Sequence, residues 1–226
     1  MALIIGVTGA IATGKSTACE IMKDLGAVHC DADRLVHRLY DPGKPAFDRI
    51  VAIFGDEVVG DDGYIDRRTL GSRVFGRPGE MSKLTTAIGD INAAVRGVFE
   101  EWRETLAQDA PAVMEAVNLI EAGYGQWCDQ VWLFACQEAT ARQRLVQRNR
   151  FTADEIDQRL ASQRSSEERA PAADLVLFND GSYEEFDSKV RAEFAGLRQR
   201  WQAGGLPPSR YHEWWNERCA RRSPAT

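Results

Sequence analysis

Two glycines, a lysine and two hydroxyl residues stand at a fixed spacing near the start of the chain. Gly9-Ala10-Ile11-Ala12-Thr13-Gly14-Lys15-Ser16 matches G-x-x-x-x-G-K-[ST], and Thr17 follows. Glycine at the turns lets backbone N–H groups converge on phosphate oxygens. Lys15 is then expected to reach the β and γ phosphates, and the Ser16 hydroxyl to bind Mg²⁺. The loop residues Ala10, Ile11, Ala12, Thr13 and Gly14, with Lys15, Ser16 and Thr17, form the expected nucleotide-contacting set. A plain glycine turn with an incidental lysine is the alternative. The motif's place between an apolar run, ALIIGVT, and a helical pattern, KSTACEIMKDL, argues against it.

A second group of chemical residues is Asp31-Ala32-Asp33, just after the short strand pattern AVHC. A carboxylate at the tip of a neighbouring strand can accept a proton from an acceptor hydroxyl or help to hold a metal. It can equally cap the helix of RLVHRLY, and the residues alone leave both roles open. Arg142, Arg144, Arg148 and Arg150, then Arg159 and Arg164, lie in a segment poor in long apolar runs. For any one of them a solvated face is the plainer reading. As a set they suit a lid that brings guanidinium groups onto a transferring phosphate and excludes water.

The elements that must position these groups alternate. Strand patterns at ALIIGVT, AVHC, APAVMEAV, QVWLFAC and DLVLFNDGS are separated by helical ones, which implies a parallel, doubly wound α/β sheet flanked by helices. Residues 1–34 and 109–203 form the expected nucleotide-binding core, with a lid at 140–168. Residues 35–108 read as a helical insertion, in which Leu84, Ile88, Ile91, Val95, Val98, Trp102 and Leu106 predict one long helix. Thr152 followed by Glu155 predicts a capping box. The segment from 204 to 226 is left unassigned.

Composition narrows the class. At 226 residues, with 44% hydrophobic side chains, the chain can bury a sizeable core. A net charge of −6 speaks against a general nucleic-acid binder. The five cysteines form no C-x-x-C pair, and His29, His37 and His212 are scattered, so reduced thiols are expected and a Cys/His metal site is not. No apolar run is long enough for a membrane span, and the apolar start lacks a basic leader. A cytoplasmic protein is expected, a monomer or small homo-oligomer, acting on a small molecule without nucleic acid or membrane.

In ordered sequence the chain resembles the dephospho-CoA kinase family. The resemblance spans about residues 1 to 200, through TGAIATGKST, DAD, DPGKPAF, FGDEVVGDDGYIDRRTLGSRVF, RQRLVQRNRFTADEIDQRLASQ and ADLVLFNDGS. It implies a P-loop kinase that uses ATP and Mg²⁺ to phosphorylate the ribose 3′-hydroxyl of dephospho-CoA in coenzyme A synthesis. The insertion would be its acceptor-binding domain. By the same resemblance Asp33 is the base, Lys15 and Ser16 the phosphate and metal ligands, and Arg144 and Arg148 the lid arginines. Asn179 would lie on the adenine side, Glu115 would join Ser16 at the metal, and Glu121 would face the acceptor.

The chain departs from the family pattern at several places. Val117-Asn118 stands for Pro-Leu, Gly89-Asp90 for His-Pro, Arg148-Asn149 for Arg-Asp, and Ala10 for Gly. The family's Arg after the catalytic Asp is His37, with Arg38 adjacent, so these two become the candidate acceptor contacts. A paralogue acting on another hydroxyl compound, or a nucleotide-binding protein without transfer, are the alternatives. Retention of Lys15, Ser16, Asp33 and the lid arginines weighs against the second.

Overall fold

The structure, a computed structural model, describes residues 1–149 and 152–222, without the side chains of 148, 149, 221 and 222. Arg150 of the basic segment lies outside the described residues. The apolar run at the start forms β1 (Leu3–Gly9), every residue of which is buried. A strand covered on both faces has no polar side, which is why its sequence shows no alternation. Around it stand β2 (Val28–Asp31), β3 (Pro111–Glu115), β4 (Gln130–Ala135) and β5 (Leu175–Phe178), in the order β2-β3-β1-β4-β5. All four pairings are parallel. The expected sheet is therefore present, and β1 is its centre.

Register decides what meets at the carboxyl end of the sheet. Val7 pairs with Glu115 of β3, Asp31 of β2 pairs with the same Glu115, and Gly9 pairs with Phe134 of β4. That edge is where open α/β sheets bind ligands. Helix α1 (Lys15–Asp24) leaves it and lays Ala18, Cys19, Ile21 and Met22 onto the sheet, in a core with Val113, Trp132 and Phe134. The closing helix α10 (Tyr183–Gln202) starts at a capping box from Ser182 to Glu185 and adds Phe186, Val190, Phe194 and Leu197 to the same core.

The chain divides into two compact units, Met1–Asp31 with Phe99–Thr226, and Ala32–Val98. The second is helical, with α2 (Ala32–Arg38), α3 (Pro45–Phe54), α4 (Arg67–Val74) and α5 (Pro78–Ile88). Tyr40, Ile50, Phe54, Leu70 and Val74 are among its buried core residues. The single long helix expected from 84 to 106 is two: α5 ends at Ile88 and α6 runs Ile91–Thr105. Gly89 takes φ +99°, which a helix cannot continue through, and Asp90 accepts a hydrogen bond from Ala93 N at 2.8 Å. The pair Gly89-Asp90 thus stops one helix and caps the next.

Beyond the sheet lie α7 (Glu138–Asn149), α8 (Ala153–Ala161), α9 (Ser166–Arg169) and, in the unassigned tail, α11 (Arg210–Arg222). The Thr152–Glu155 capping box is formed. Helix α11 docks through Tyr211, fully buried, whose hydroxyl donates to Ile120 O at 2.8 Å. Asp174 anchors its start by accepting from Ser209 Oγ at 2.6 Å and Arg210 N at 2.7 Å. Among the described residues no helix is long and apolar enough to cross a membrane.

Candidate active site

The loop between β1 and α1 has a backbone that its glycines make possible. Gly9 has φ +151°, and a Cβ there would lie 2.2 Å from Phe134 O. Gly14 has φ +96°, and a Cβ would lie 2.2 Å from Asn179 Nδ2. Both distances are far inside van der Waals contact, so the motif glycines are required sterically as well as conformationally. Ala12 carries a positive φ of 64°, a strained choice for an alanine. Ala10, by contrast, is not among the positive-φ residues, so a side chain in place of the family's glycine carries no left-handed penalty.

Lys15 is buried, and its ammonium donates to Ala10 O at 2.8 Å; the Thr13 hydroxyl donates to the same carbonyl at 2.9 Å. One loop amide, Ile11 N, donates to Gln163 Oε1 at 2.7 Å. Gln163 escaped the sequence reading, because nothing distinguishes one glutamine in a polar segment from its neighbours.

Ser16, in the first turn of α1, donates to Glu115 Oε1 at 2.7 Å. The other carboxylate oxygen lies 3.1 Å from His29 Nε2. Burial would raise the Glu115 carboxyl, but hydrogen bonds from His29 and Ser16, with the charges of His29 and Lys15, outweigh it and hold the group below its ordinary range. A hydroxyl and an ionised carboxylate are both hard oxygen donors, the set Mg²⁺ takes, so these residues fit the ion expected there. Cys19 also faces Glu115: its Sγ, a ring nitrogen of His29 and a Glu115 oxygen all lie within 4.8 Å of one another. The histidines and cysteines expected to be scattered thus include one pair, Cys19 and His29, that the fold brings together. One helix and two strands, distant in sequence, converge here, which spacing along the chain does not reveal.

Around Asn179, at the end of β5, the loop is tied to the rest of the core. Its Nδ2 donates to Thr13 O at 3.1 Å, while Arg144 of α7 donates to Ala12 O at 3.1 Å and to Asn179 Oδ1 at 3.2 Å. Ala12, Thr17, Arg144, Asn179, Tyr183 and Phe186 line a cleft of about 670 Å³. Its lining combines phosphate-loop residues with the rings of Tyr183 and Phe186, which suits a nucleotide. Arg148 lies in the last turn of α7, and its side chain is outside the described residues.

Of the acceptor-side candidates, Asp33, His37 and Arg38 belong to the helical unit and Glu121 to the sheet unit. Asp33 is exposed in the first turn of α2, and Arg38 is exposed at its end. His37 Nδ1 is hydrogen-bonded to the Tyr40 hydroxyl. Glu121 is held by Arg169, whose Nε donates to Glu121 Oε1 at 2.8 Å with the guanidinium 2% exposed. Val117, at the altered Pro-Leu, accepts from the Thr8 hydroxyl through its carbonyl at 2.9 Å.

A parallel five-stranded sheet with this loop at the end of its central strand defines a P-loop nucleotide-binding protein. Comparison with known proteins narrows the class: the dephospho-CoA kinase family matches residues 3–185, and the chain belongs to that family of ATP-dependent kinases of coenzyme A biosynthesis. A dephospho-CoA kinase of Symbiobacterium thermophilum is 38% identical over 84% of this chain and 79% of its own length. One from Streptococcus pyogenes is 35% identical over 86% of this chain and 98% of its own. The crystal structure of TT1252 from Thermus thermophilus superposes with a TM-score of 0.69 at 28% identity, over 86% of this chain and 97% of that one.

Proposed function

We propose that the chain transfers the γ-phosphoryl group of ATP to the ribose 3′-hydroxyl of dephospho-CoA, with Mg²⁺ held by Ser16 and Glu115. The observation that carries this reading is the Ser16–Glu115 pair, 2.7 Å apart and reached by Lys15's charge, at the mouth of the phosphate loop. The bound ion would neutralise charge on the β and γ phosphates.

The rest of the chemistry belongs to the chain's own side chains. Lys15 and the amides of Ala12 to Thr17 cradle the phosphates, and Arg144 and Arg148 cover the transferring group. Asp33 accepts the proton of the attacking hydroxyl. Asn179 and the aromatic wall of the cleft hold the adenine side. The helical insertion, read at 35–108, is assigned to the acceptor, with His37, Arg38 and Glu121 as candidate contacts. A small-molecule acceptor, no nucleic acid and a cytoplasmic location complete the reading.

The metal assignment is tested by titrating ATP into wild type and Glu115→Gln with and without Mg²⁺. Tighter binding with Mg²⁺ in wild type, and a lost Mg²⁺ dependence in the variant, are expected. An equal Mg²⁺ effect in both would contradict the role of Glu115.

A further inference from the structure

Cys19, His29 and Glu115 stand on α1, β2 and β3. His29 pairs in register with Val113, two residues before Glu115, so both side chains leave the sheet on one face as diagonal neighbours. Helix α1 covers that face and brings Cys19 down beside them. The three ligand atoms lie within 4.8 Å of one another; Cys19 is fully buried and the His29 side chain is 13% exposed.

A thiolate, an imidazole and a carboxylate are the donors of borderline-soft divalent ions, bound at about 2.0–2.3 Å, with a fourth position left to solvent. Mg²⁺ prefers oxygen alone and has no use for the sulfur. We propose that Cys19, His29 and Glu115 form a binding site for a Zn²⁺-class ion, distinct from the Mg²⁺ position and sharing Glu115 with it.

Binding exchanges the Cys19 thiol proton for the metal: the S–H bond breaks, an S–metal bond forms, and the proton leaves to solvent. The proton that His29 Nε2 donates to Glu115 moves to Nδ1 of the same ring, and the lone pair thus freed at Nε2 binds the ion. Glu115 then serves the soft ion and releases Ser16, so the occupied site disables the Mg²⁺ pair. This consequence rests on the reading of Ser16 and Glu115 as Mg²⁺ ligands; the binding itself does not.

The test is a Co²⁺ titration of the full-length reduced protein without nucleotide, followed by absorbance. One equivalent giving a thiolate-to-cobalt charge-transfer band is expected. Cys19→Ser should abolish the band, His29→Ala should weaken binding about tenfold or more, and Cys30→Ser should change neither. No band in wild type, or a band that survives in Cys19→Ser, overturns the site. Circular dichroism checks the folding of each variant. Should Cys19→Ser fail to fold, His29→Ala decides alone, and an unchanged affinity there overturns the proposal.

In a kinase assay at fixed Mg-ATP, Zn²⁺ should inhibit wild type and spare Cys19→Ser. Equal inhibition of both would overturn the capture of Glu115. Failure of wild type with Mg-ATP and no added Zn²⁺ to transfer phosphate at all would count against the proposed kinase function, and not against the site.

Discussion

Ser16 and Glu115 are 99 residues apart in the chain and joined by a 2.7 Å hydrogen bond between the first turn of α1 and the end of β3. The parallel register of β1 with β3 makes the contact, since it sets Glu115 level with Val7 just below the loop. A carboxylate held there beside Lys15 and His29 is kept ionised by its surroundings, despite its burial.

That ionisation has a consequence for acid stability. A carboxyl whose pKa falls on folding, here from an ordinary 4.5, contributes stability fully present above the unfolded value. The contribution is lost as pH falls through the lower folded value. Urea unfolding of wild type should therefore lose more stability between neutral pH and pH about 3 than that of Glu115→Gln. A stability difference constant over that range would contradict the account.

Lys15 lies inside the loop, and its ammonium is already within 2.8 Å of the Ala10 carbonyl. Lys15→Ala should weaken ATP binding and also lower turnover by about 10²–10³-fold, the usual effect of removing one preorganised donor to developing charge. Calorimetric ATP binding beside single-turnover kinetics separates the two. Unchanged binding would show that the lysine does not touch the ground-state nucleotide.

Asp33 differs in kind, being exposed at the start of α2 and outside the loop. Asp33→Ala should bind ATP as wild type does and transfer phosphate about 10²–10⁴-fold more slowly, the range for loss of a general base. Near-normal turnover would remove the role assigned to it.

The Arg169–Glu121 pair predicts a stability pattern. Glu121 Oε2 and Arg169 Nη1 are buried without a hydrogen-bond partner, although Nε and Oε1 meet at 2.8 Å. Arg169→Leu alone should cost about 3–5 kcal/mol by leaving a carboxylate uncompensated. Adding Glu121→Leu should recover most of that loss in chemical denaturation. Additive losses would show that the two residues act independently.

What was legible in the sequence was local chemistry. The loop could be read because a tight turn needs Gly9 and Gly14 whatever surrounds it. The central strands β1, β3 and β4 could be read because strands covered on both faces demand nearly unbroken apolar runs. The break at Gly89 was hidden, since Ile88 and Ile91 keep the three-residue spacing of a continuous helix on either side of it. The tail was hidden for another reason: α11 is held by Asp174 and by the backbone of Ile120, contacts far away in the chain. Gln163, Arg169 and the Cys19–His29–Glu115 group likewise depend on register and helix packing, which a residue pattern does not carry.

The central claim is that the group built around Ser16, Glu115 and Lys15 holds Mg-ATP for transfer of its γ-phosphoryl group to dephospho-CoA. Its most direct test is mass-spectrometric analysis of the product after incubation of purified protein with Mg-ATP and dephospho-CoA, beside a panel of other nucleosides and alcohols. The account predicts conversion of dephospho-CoA to its 3′-phosphorylated product with stoichiometric ADP. Binding or hydrolysis of ATP that leaves dephospho-CoA unmodified, or phosphate appearing only on another hydroxyl compound, would contradict it.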